Sequence, residues 1–311
     1  MKLFRTALRI LAVVVLYYVI TGPGVLMGET PGLYHEYSRD TILGFTRHLV
    51  RNGEYYRASV ELERLAVFYP STISIEQYSV SHMFLLMKGH QYRQVAASGN
   101  IDSGGPAACV RTLLRSDAML YASSYQDSAA LLVNPGMQCD STFGAYFWKR
   151  RYVASLLGNR PEEASALLET NNLPPDILQK KQLYRDMLSY SEGKLSRTVA
   201  PWKALWAGAV PGLGYACAGN RPTGIVAFVM VSVLSALTVA SFKTDNEPLG
   251  VCFGAVAAFF YSGSIAGGYL EAKRNNRIIR ENLRDSLCGD AGFAEDWDRL
   301  NNEYGLSLSE K

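Results

Sequence analysis

The chain has 311 residues, 19% of them charged, with a net charge of +3 and five cysteines. The charged fraction is below the roughly 25% typical of soluble domains, and the length is enough for two domains. So small a net charge does not predict a nucleic-acid partner, and so few cysteines do not predict a disulfide scaffold.

Residues 1–28 begin with the basic residues Lys2, Arg5 and Arg9 and continue with an uncharged stretch from 10 to 28. A basic start followed by an apolar run is typical of a signal peptide or an N-terminal membrane anchor. Both interpretations stay open, because the run is long for a signal peptide and no clear cleavage site stands out. Either one predicts that the residues that follow lie outside the cytoplasm.

Residues 34–198 carry a spacing that recurs in steps of 37, 33 and 36 residues, close to the 34-residue tetratricopeptide period. In each copy a bulky residue near the start of a second helix precedes a smaller one by three positions. The copies are Gly53, Tyr55 and Ala58; Tyr92 and Val95; Tyr125 and Ser128; and Pro161 and Ala164. Because a single helix pair cannot bury its apolar face, such pairs must stack. The pattern predicts an all-α, tetratricopeptide-like solenoid; an irregular all-helical domain is the alternative.

Two cysteines of this region, Cys109 and Cys139, lie about one repeat apart. In a stack of repeats they would fall on or just before neighbouring first helices. If the domain lies outside the cytoplasm, we expect that these two cysteines can form a disulfide.

Residues 222–242 and 248–270 carry no charge, and a five-residue polar turn joins them. Each is long enough to cross a hydrocarbon core of about 30 Å. The short connection makes the two segments antiparallel neighbours, which predicts a transmembrane hairpin. Two core helices of a soluble protein are the alternative.

Small residues recur along the second of these segments, and such residues let membrane helices approach closely. One stripe is formed by Gly250, Gly254, Ala258, Ser262 and Ala266, and a second by Gly263 and Gly267. We expect these stripes to pack the helices of the hairpin.

A glycine-rich segment precedes the hairpin, within a predicted interfacial and hairpin region of residues 201–270. No Lys-Ser or Lys-Thr pair follows its glycines, which argues against a phosphate-binding loop. Trp202 and Trp206 just upstream are typical of a membrane interface. The segment resembles the entry to the two-transmembrane hairpin domains of bacteria. The matching positions are Pro211, Gly212, Gly214, Tyr215, Gly219, Gly224 and Phe228.

Bacterial envelope proteins also join a signal-like start, degenerate tetratricopeptide repeats and this hairpin, so the resemblance covers most of the chain. Pro222 departs from the pattern, although proline fits the first turn of a helix. The resemblance implies an architecture and no catalytic role.

Residues 271–311 predict a basic juxtamembrane helix followed by a loose acidic tail. The basic helix could bind anionic lipid heads or be a merely solvated helix. Its positive charges favour a cytoplasmic side for both flanks of the hairpin, in conflict with the N-terminal signal. We favour an extracytoplasmic repeat domain, since the basic-then-apolar start is the stronger signal.

No pattern in the sequence predicts a catalytic, metal or cofactor site. We therefore expect a non-enzymatic adaptor in the membrane of the bacterial envelope, whose repeat groove binds an unknown protein or peptide. The alternative is a homo-oligomeric bundle or pore assembled through the glycine-striped hairpin. The expected partners are membrane lipid, a protein or peptide, or a second copy, and not nucleic acid.

Overall fold

The computed structural model describes residues 38–71, 73–98, 105–133, 139, 141–170, 172–306 and 308. Helices make up 81% of this part of the chain, which contains no strand. The prediction of an all-α fold is therefore confirmed. The predicted signal peptide or anchor, residues 1–28, lies outside the described residues.

The helical domain begins with four helix pairs, each joined by a short turn. They are α1 (Arg39–Arg51) with α2 (Tyr55–Phe68), α3 (Ile75–Lys88) with α4 (Tyr92–Ala97), α5 (Pro106–Tyr121) with α6 (Tyr125–Val133), and α7 (Gly144–Leu157) with α8 (Pro161–Glu169). The short α9 (Pro175–Gln179) and the longer α10 (Lys181–Leu195) follow. The first helices α3, α5 and α7 pack side by side, since α5 contacts both α3 and α7.

All four pairs close with the same turn. One residue in each has a left-handed backbone, and the N–H of the next residue donates to a carbonyl five positions earlier. The left-handed residues are Gly53, His90, Ser123 and Asn159, with φ of 75°, 59°, 68° and 58°. The recurrence is a geometric fact, whereas the tetratricopeptide assignment stays a prediction.

The smaller residues of the repeated spacing lie in the core. Ala58, Val95, Ser128 and Ala164 are each 0% exposed. The bulky residues Tyr55, Tyr92 and Tyr125 begin the second helices α2, α4 and α6. A small buried residue one turn into a second helix lets it approach the neighbouring helix.

After the helical domain, the chain forms two short helices and a helical hairpin. The short helices are α11 (Pro201–Ala207) and α12 (Leu213–Cys217), and the hairpin consists of α13 (Arg221–Lys243) and α14 (Glu247–Asp290). Both hairpin helices are long and apolar enough to span a membrane, which confirms that part of the prediction. Only 11% and 17% of their apolar windows is buried, whereas the core helices of a soluble protein are mostly buried.

Helix α14 continues without a break for 44 residues, from the apolar hairpin into the helical domain. We call its part from residue 271 to residue 290 the stem. Leu283, Leu287 and Cys288 of the stem are buried in the core of the helical domain. The stem packs against α7 and α10. One helix therefore connects the apolar hairpin directly to the folded domain.

The expectation of a loose acidic tail is wrong, because the tail forms α15 (Phe293–Tyr304). Its apolar side, which includes Phe293, Trp297 and Leu300, belongs to the core of the helical domain. Helix α15 lies against α3 and α5, and its Asp296 reaches Lys149 of α7. Part of the surface shared by α3 and α5 is therefore covered by the chain itself.

Candidate functional site: the hairpin entry and the stem groove

The structure brings most of the predicted hairpin-entry motif together on α14. Gly212 has a left-handed φ of 78°, and its N–H donates to the hydroxyl of Ser264 at 2.9 Å. A Cβ at Gly212 would lie 1.9 Å from the carbonyl oxygen of Gly224. Glycine is therefore required at position 212 by both backbone conformation and space.

The next glycines of the motif let α12 approach α14 at backbone distance. A Cβ on Gly214 would lie 2.7 Å from the carbonyl oxygen of Ala204, and one on Gly268 would lie 2.9 Å from Gly214. The hydroxyl of Tyr215 occupies the space beside Gly267. Such contacts replace the hydrophobic effect as the force that holds helices together in lipid.

Three predicted positions remain, Pro211, Gly219 and the exposed Phe228, and they lie at the edge of this contact. Pro211 is half-buried, and Gly219 is exposed. Gly219 has a left-handed φ of 94° and lies just past α12, and the side-chain amide of Asn275 donates to the carbonyl of Ala218 at 3.1 Å. Gly219 therefore contributes a turn rather than a helix contact.

Polar clamps on the stem, which the sequence analysis missed, fix the entry segment at the end of the hairpin nearer the helical domain. Asn276 donates to the carbonyl of Val199 at 2.7 Å and accepts from the N–H of the same residue at 3.0 Å. The side-chain amide of Asn220 donates to Glu271 at 3.1 Å. The adjacent Asn275 and Asn276, five and six positions after the end of the apolar run, were the available signal.

The first predicted stripe, whose five residues recur every four positions, does not form one packing face. Gly250 is buried and Gly254 is half-buried, but Ala258, Ser262 and Ala266 are exposed. Each step of four residues advances 40° beyond a full turn, so five such positions wind about 160° around the helix. The second stripe also divides: Gly267 meets Tyr215, whereas no atom lies within 4 Å of a Cβ placed on Gly263.

The residues of α14 that do pack against the rest of the chain recur at a spacing closer to the seven-residue heptad. On α14 the buried small residues are Gly250, Ala257, Ser264, Gly268 and Ala272. On α13 the buried or half-buried residues are Gly224, Ala227, Val231, Leu234, Thr238 and Ser241. Steps of three, four and seven keep a contact on one side of two nearly antiparallel helices.

A cavity of about 710 Å³ lies between the stem and the helical domain, and we call it the stem groove. Two of its walls are the turns that close the second and third helix pairs, at residues 90–93 and 121–125. The opposite wall is the stem face that carries Lys273, Arg277 and Arg280, and Pro201 lies at its border. The volume falls within the range of small-ligand sites in proteins.

Aromatic rings and hydrogen-bonding groups line the domain side of the groove. Tyr92 stacks on Tyr121 with 4.6 Å between ring centroids, and its hydroxyl lies 2.7 Å from Nδ1 of His90. Burial raises the pKa of the Tyr92 phenol above its usual value. Because Nδ1 of His90 is already a partner of this hydroxyl, the phenol can donate to a further acceptor only when the Nδ1–H of His90 donates to it.

A buried charge network attaches α15 to the domain. Oδ2 of Asp117 accepts from Nη2 of Arg150 and from Nε1 of Trp297, each at 2.7 Å. Arg150 also donates to Asp296 at 3.2 Å, and Lys149 lies 2.6 Å from the same carboxylate. Burial alone would lower the pKa of Arg150, but the two carboxylates raise it above its usual value.

The cysteines of the helical domain differ in state. Cys109 and Cys139 are joined in a disulfide with Cα atoms 5.9 Å apart. Cys288 is a free, buried thiol, and burial raises its pKa to about 12. A thiol in that environment is inert, because the thiolate is the reactive form.

Within the part of the chain that the structure describes, no group of three or more His, Cys, Asp or Glu could hold a metal ion. Comparison of the chain with protein-family models, with curated proteins and with solved structures finds no match.

Proposed function

We propose that this protein is a membrane-anchored helical adaptor, which holds its helical domain at a fixed distance from a bilayer and binds a protein or peptide there. The continuity of α14 supports this function, because one helix carries the apolar hairpin and is buried in the helical domain. A flexible link would let the domain drift, whereas a continuous helix fixes its height.

In this proposal the helix pairs are degenerate tetratricopeptide units on the extracytoplasmic side of a bacterial membrane. The identical turns at four places support the repeat interpretation. Since α15 covers part of α3 and α5, we place the partner surface elsewhere on the domain.

The outer face of α2 is the surface that we assign to the partner. Tyr56, Val60 and Val67 fall within about 40° of one another on the helix and are exposed, Val67 by 75%. Exposed apolar side chains gathered on one helix face are typical of protein-interaction sites. Helix α2 packs mainly on α1 and α3, and these three side chains stay exposed beside both contacts.

A photo-crosslinking amino acid at position 67, in the full chain and in native membranes, tests the adaptor function. We expect a crosslinked product of defined mass that contains another protein and that is lost when Val60 is replaced by Glu. The same crosslinker at the exposed Arg185 of α10 serves as the control and should give no such product. The absence of a product at position 67, or an equal product at both positions, would contradict the proposal.

A homo-oligomer is a second candidate, favoured by one observation. Ala258, Ser262 and Ala266 of α14 are exposed and fall within about 80° of one another on the helix, so a small-residue face is left for another copy. In this case Ser262→Leu should convert an oligomer in lipid nanodiscs into monomers, while Val251→Leu, on an exposed residue of the same helix, should not. A monomeric parent protein would exclude this candidate.

A further inference from the structure

The stem groove gathers positive charge that the chain itself does not neutralise. Arg277 pairs with Glu281 at 2.7 Å. Arg93, Lys273 and Arg280 also line the groove, and none of the three has an ion-pair partner among the described residues. Cations gathered around one concave surface raise the local concentration of anions.

The end of the groove that carries Lys273 lies at the level of a lipid head-group layer. The apolar part of α14 ends at residue 270, so Lys273 and Arg280 lie roughly 5 Å and 15 Å beyond it along the helix. The head-group layer adds about 5 to 8 Å on each side of the hydrocarbon core. Lys273 therefore falls within this layer, and Arg280 reaches the water just above it.

The entry segment gives a second indication of the level of the groove relative to the membrane, independent of the length of α14. Pro201, at the border of the groove, begins α11, which carries the exposed Trp202 and Trp206. Tryptophan favours the boundary between hydrocarbon and water. The groove thus opens beside the residues that mark the membrane surface.

The domain wall of the groove adds hydrogen-bond donors to the charges. Arg93 lies on the turn beside Tyr92, whose hydroxyl can donate to a ligand when Nδ1–H of His90 donates to that hydroxyl in turn. Phosphate oxygens accept strong hydrogen bonds from arginine and lysine, and a tyrosine hydroxyl can add another. A phosphate between the two walls would meet cations from both sides.

We propose that the stem groove binds the phosphate-bearing head group of an anionic membrane lipid. The lipid comes from the leaflet beside α11, with its acyl chains in the bilayer and its phosphate between the stem and the turn at residues 90–93. This site goes beyond the adaptor function and shares with it only the insertion of the hairpin in a membrane.

The experiment uses the full chain in detergent, titrated with phosphatidylglycerol or phosphatidylcholine, with bound lipid counted by native mass spectrometry. The test variant is Lys273→Gln with Arg280→Gln. The matched control is Arg221→Gln with Arg274→Gln, which removes two exposed charges at the same side of the hairpin but outside the groove. Equal thermal unfolding of the two variants shows that both fold.

We expect phosphatidylglycerol to be retained in preference to phosphatidylcholine. The groove variant should bind it about tenfold more weakly than the control variant does, since two charge-assisted contacts are lost. Equal losses in both variants would mean that the surface attracts anionic lipid without a site, and would overturn the proposal. It would equally be overturned if inorganic phosphate or glycerol phosphate displaced the lipid at equal concentration, because the ligand would then be a soluble phosphate. Loss of the crosslink at position 67 bears only on the adaptor function.

Discussion

Replacing Trp297 by alanine should destabilise the helical domain by about 4 kcal/mol or more. The indole is only 6% exposed, and truncating a buried tryptophan typically costs about 3 to 5 kcal/mol. Its Nε1 also donates a 2.7 Å hydrogen bond to the buried Asp117, and a bond to a charged group contributes about 1.5 to 3 kcal/mol. Trp297→Phe keeps most of the apolar contact and loses that bond, so it should cost about 2 kcal/mol.

Pulsed labelling of Cys288 in increasing urea measures this effect, because the buried thiol becomes reactive only when the domain opens. Mass spectrometry of the full chain in detergent gives the midpoint for each variant. The control is the exposed Glu303→Ala on the same helix, which should stay within about 0.5 kcal/mol of the parent. Coincident midpoints for Trp297→Ala and Glu303→Ala would refute the assignment of α15 to the core.

Three further predictions concern the hairpin entry, the disulfide and the response to pH. Gly214→Ala should destabilise the hairpin by about 1 to 3 kcal/mol in a detergent thermal-unfolding assay, because its Cβ would meet backbone, while Gly263→Ala should be neutral or stabilising. Non-reducing peptide mapping should recover Cys109 linked to Cys139, and two free thiols in native protein would contradict this. Because the disulfide closes a loop of 30 residues, its reduction should lower the free energy of unfolding by about 3 to 4 kcal/mol. Burial lowers the pKa of His82 below 6.5 in spite of the nearby Glu63, so the unfolded chain takes up the proton first as the pH falls. The stability due to neutral His82 is thus present above about pH 6.5 and lost below it, and His82→Gln should flatten that part of a urea-midpoint profile against pH.

The sequence predicted the parts of the fold that depend on local signals. The hairpin follows from two uncharged stretches and a short polar turn. Gly212, Gly214 and Gly224 were recognised because glycines are unexpected before a long apolar helix. Ala58 and Val95 followed from a spacing that places one residue per turn against a neighbouring helix.

The predicted stripe on α14 does not coincide with the face that packs within the chain, because a four-residue period was taken as one face. Gly250 and Ser264, fourteen positions apart, share the packing face, whereas Gly250 and Ala266 do not. Each four-residue step turns 40° beyond a full helical turn, so the winding of the stripe around α14 could have been worked out from the sequence alone.

The tail was misjudged because its acidic residues were counted as solvated. Phe293, Trp297, Leu300 and Tyr304 follow one another at helical spacing, which was a usable signal for an amphipathic helix. That Asp296 would pair with a buried arginine could not be predicted, since Arg150 is 146 residues away in the chain.

No sequence motif predicts the stem groove. Its walls come from residues 90–93, 121–125 and 273–281, and none of these segments forms a motif. Only the packing of the stem against the helical domain brings them together. The basic residues after the hairpin were visible in the sequence, but the aromatic wall that faces them was not.

The distance between two spin labels in α14 tests most directly the claim that one continuous helix joins the membrane hairpin to the helical domain. The labels replace the exposed Phe259 and Asn282, on either side of residue 270, after the exposed Cys217 and Cys252 are changed to serine. In protein reconstituted into lipid vesicles, electron–electron resonance should give a narrow distribution near about 35 Å, which is 23 residues of helix. A broad distribution, or a mean clearly shorter than this, would show a hinge between hairpin and stem and would contradict the account.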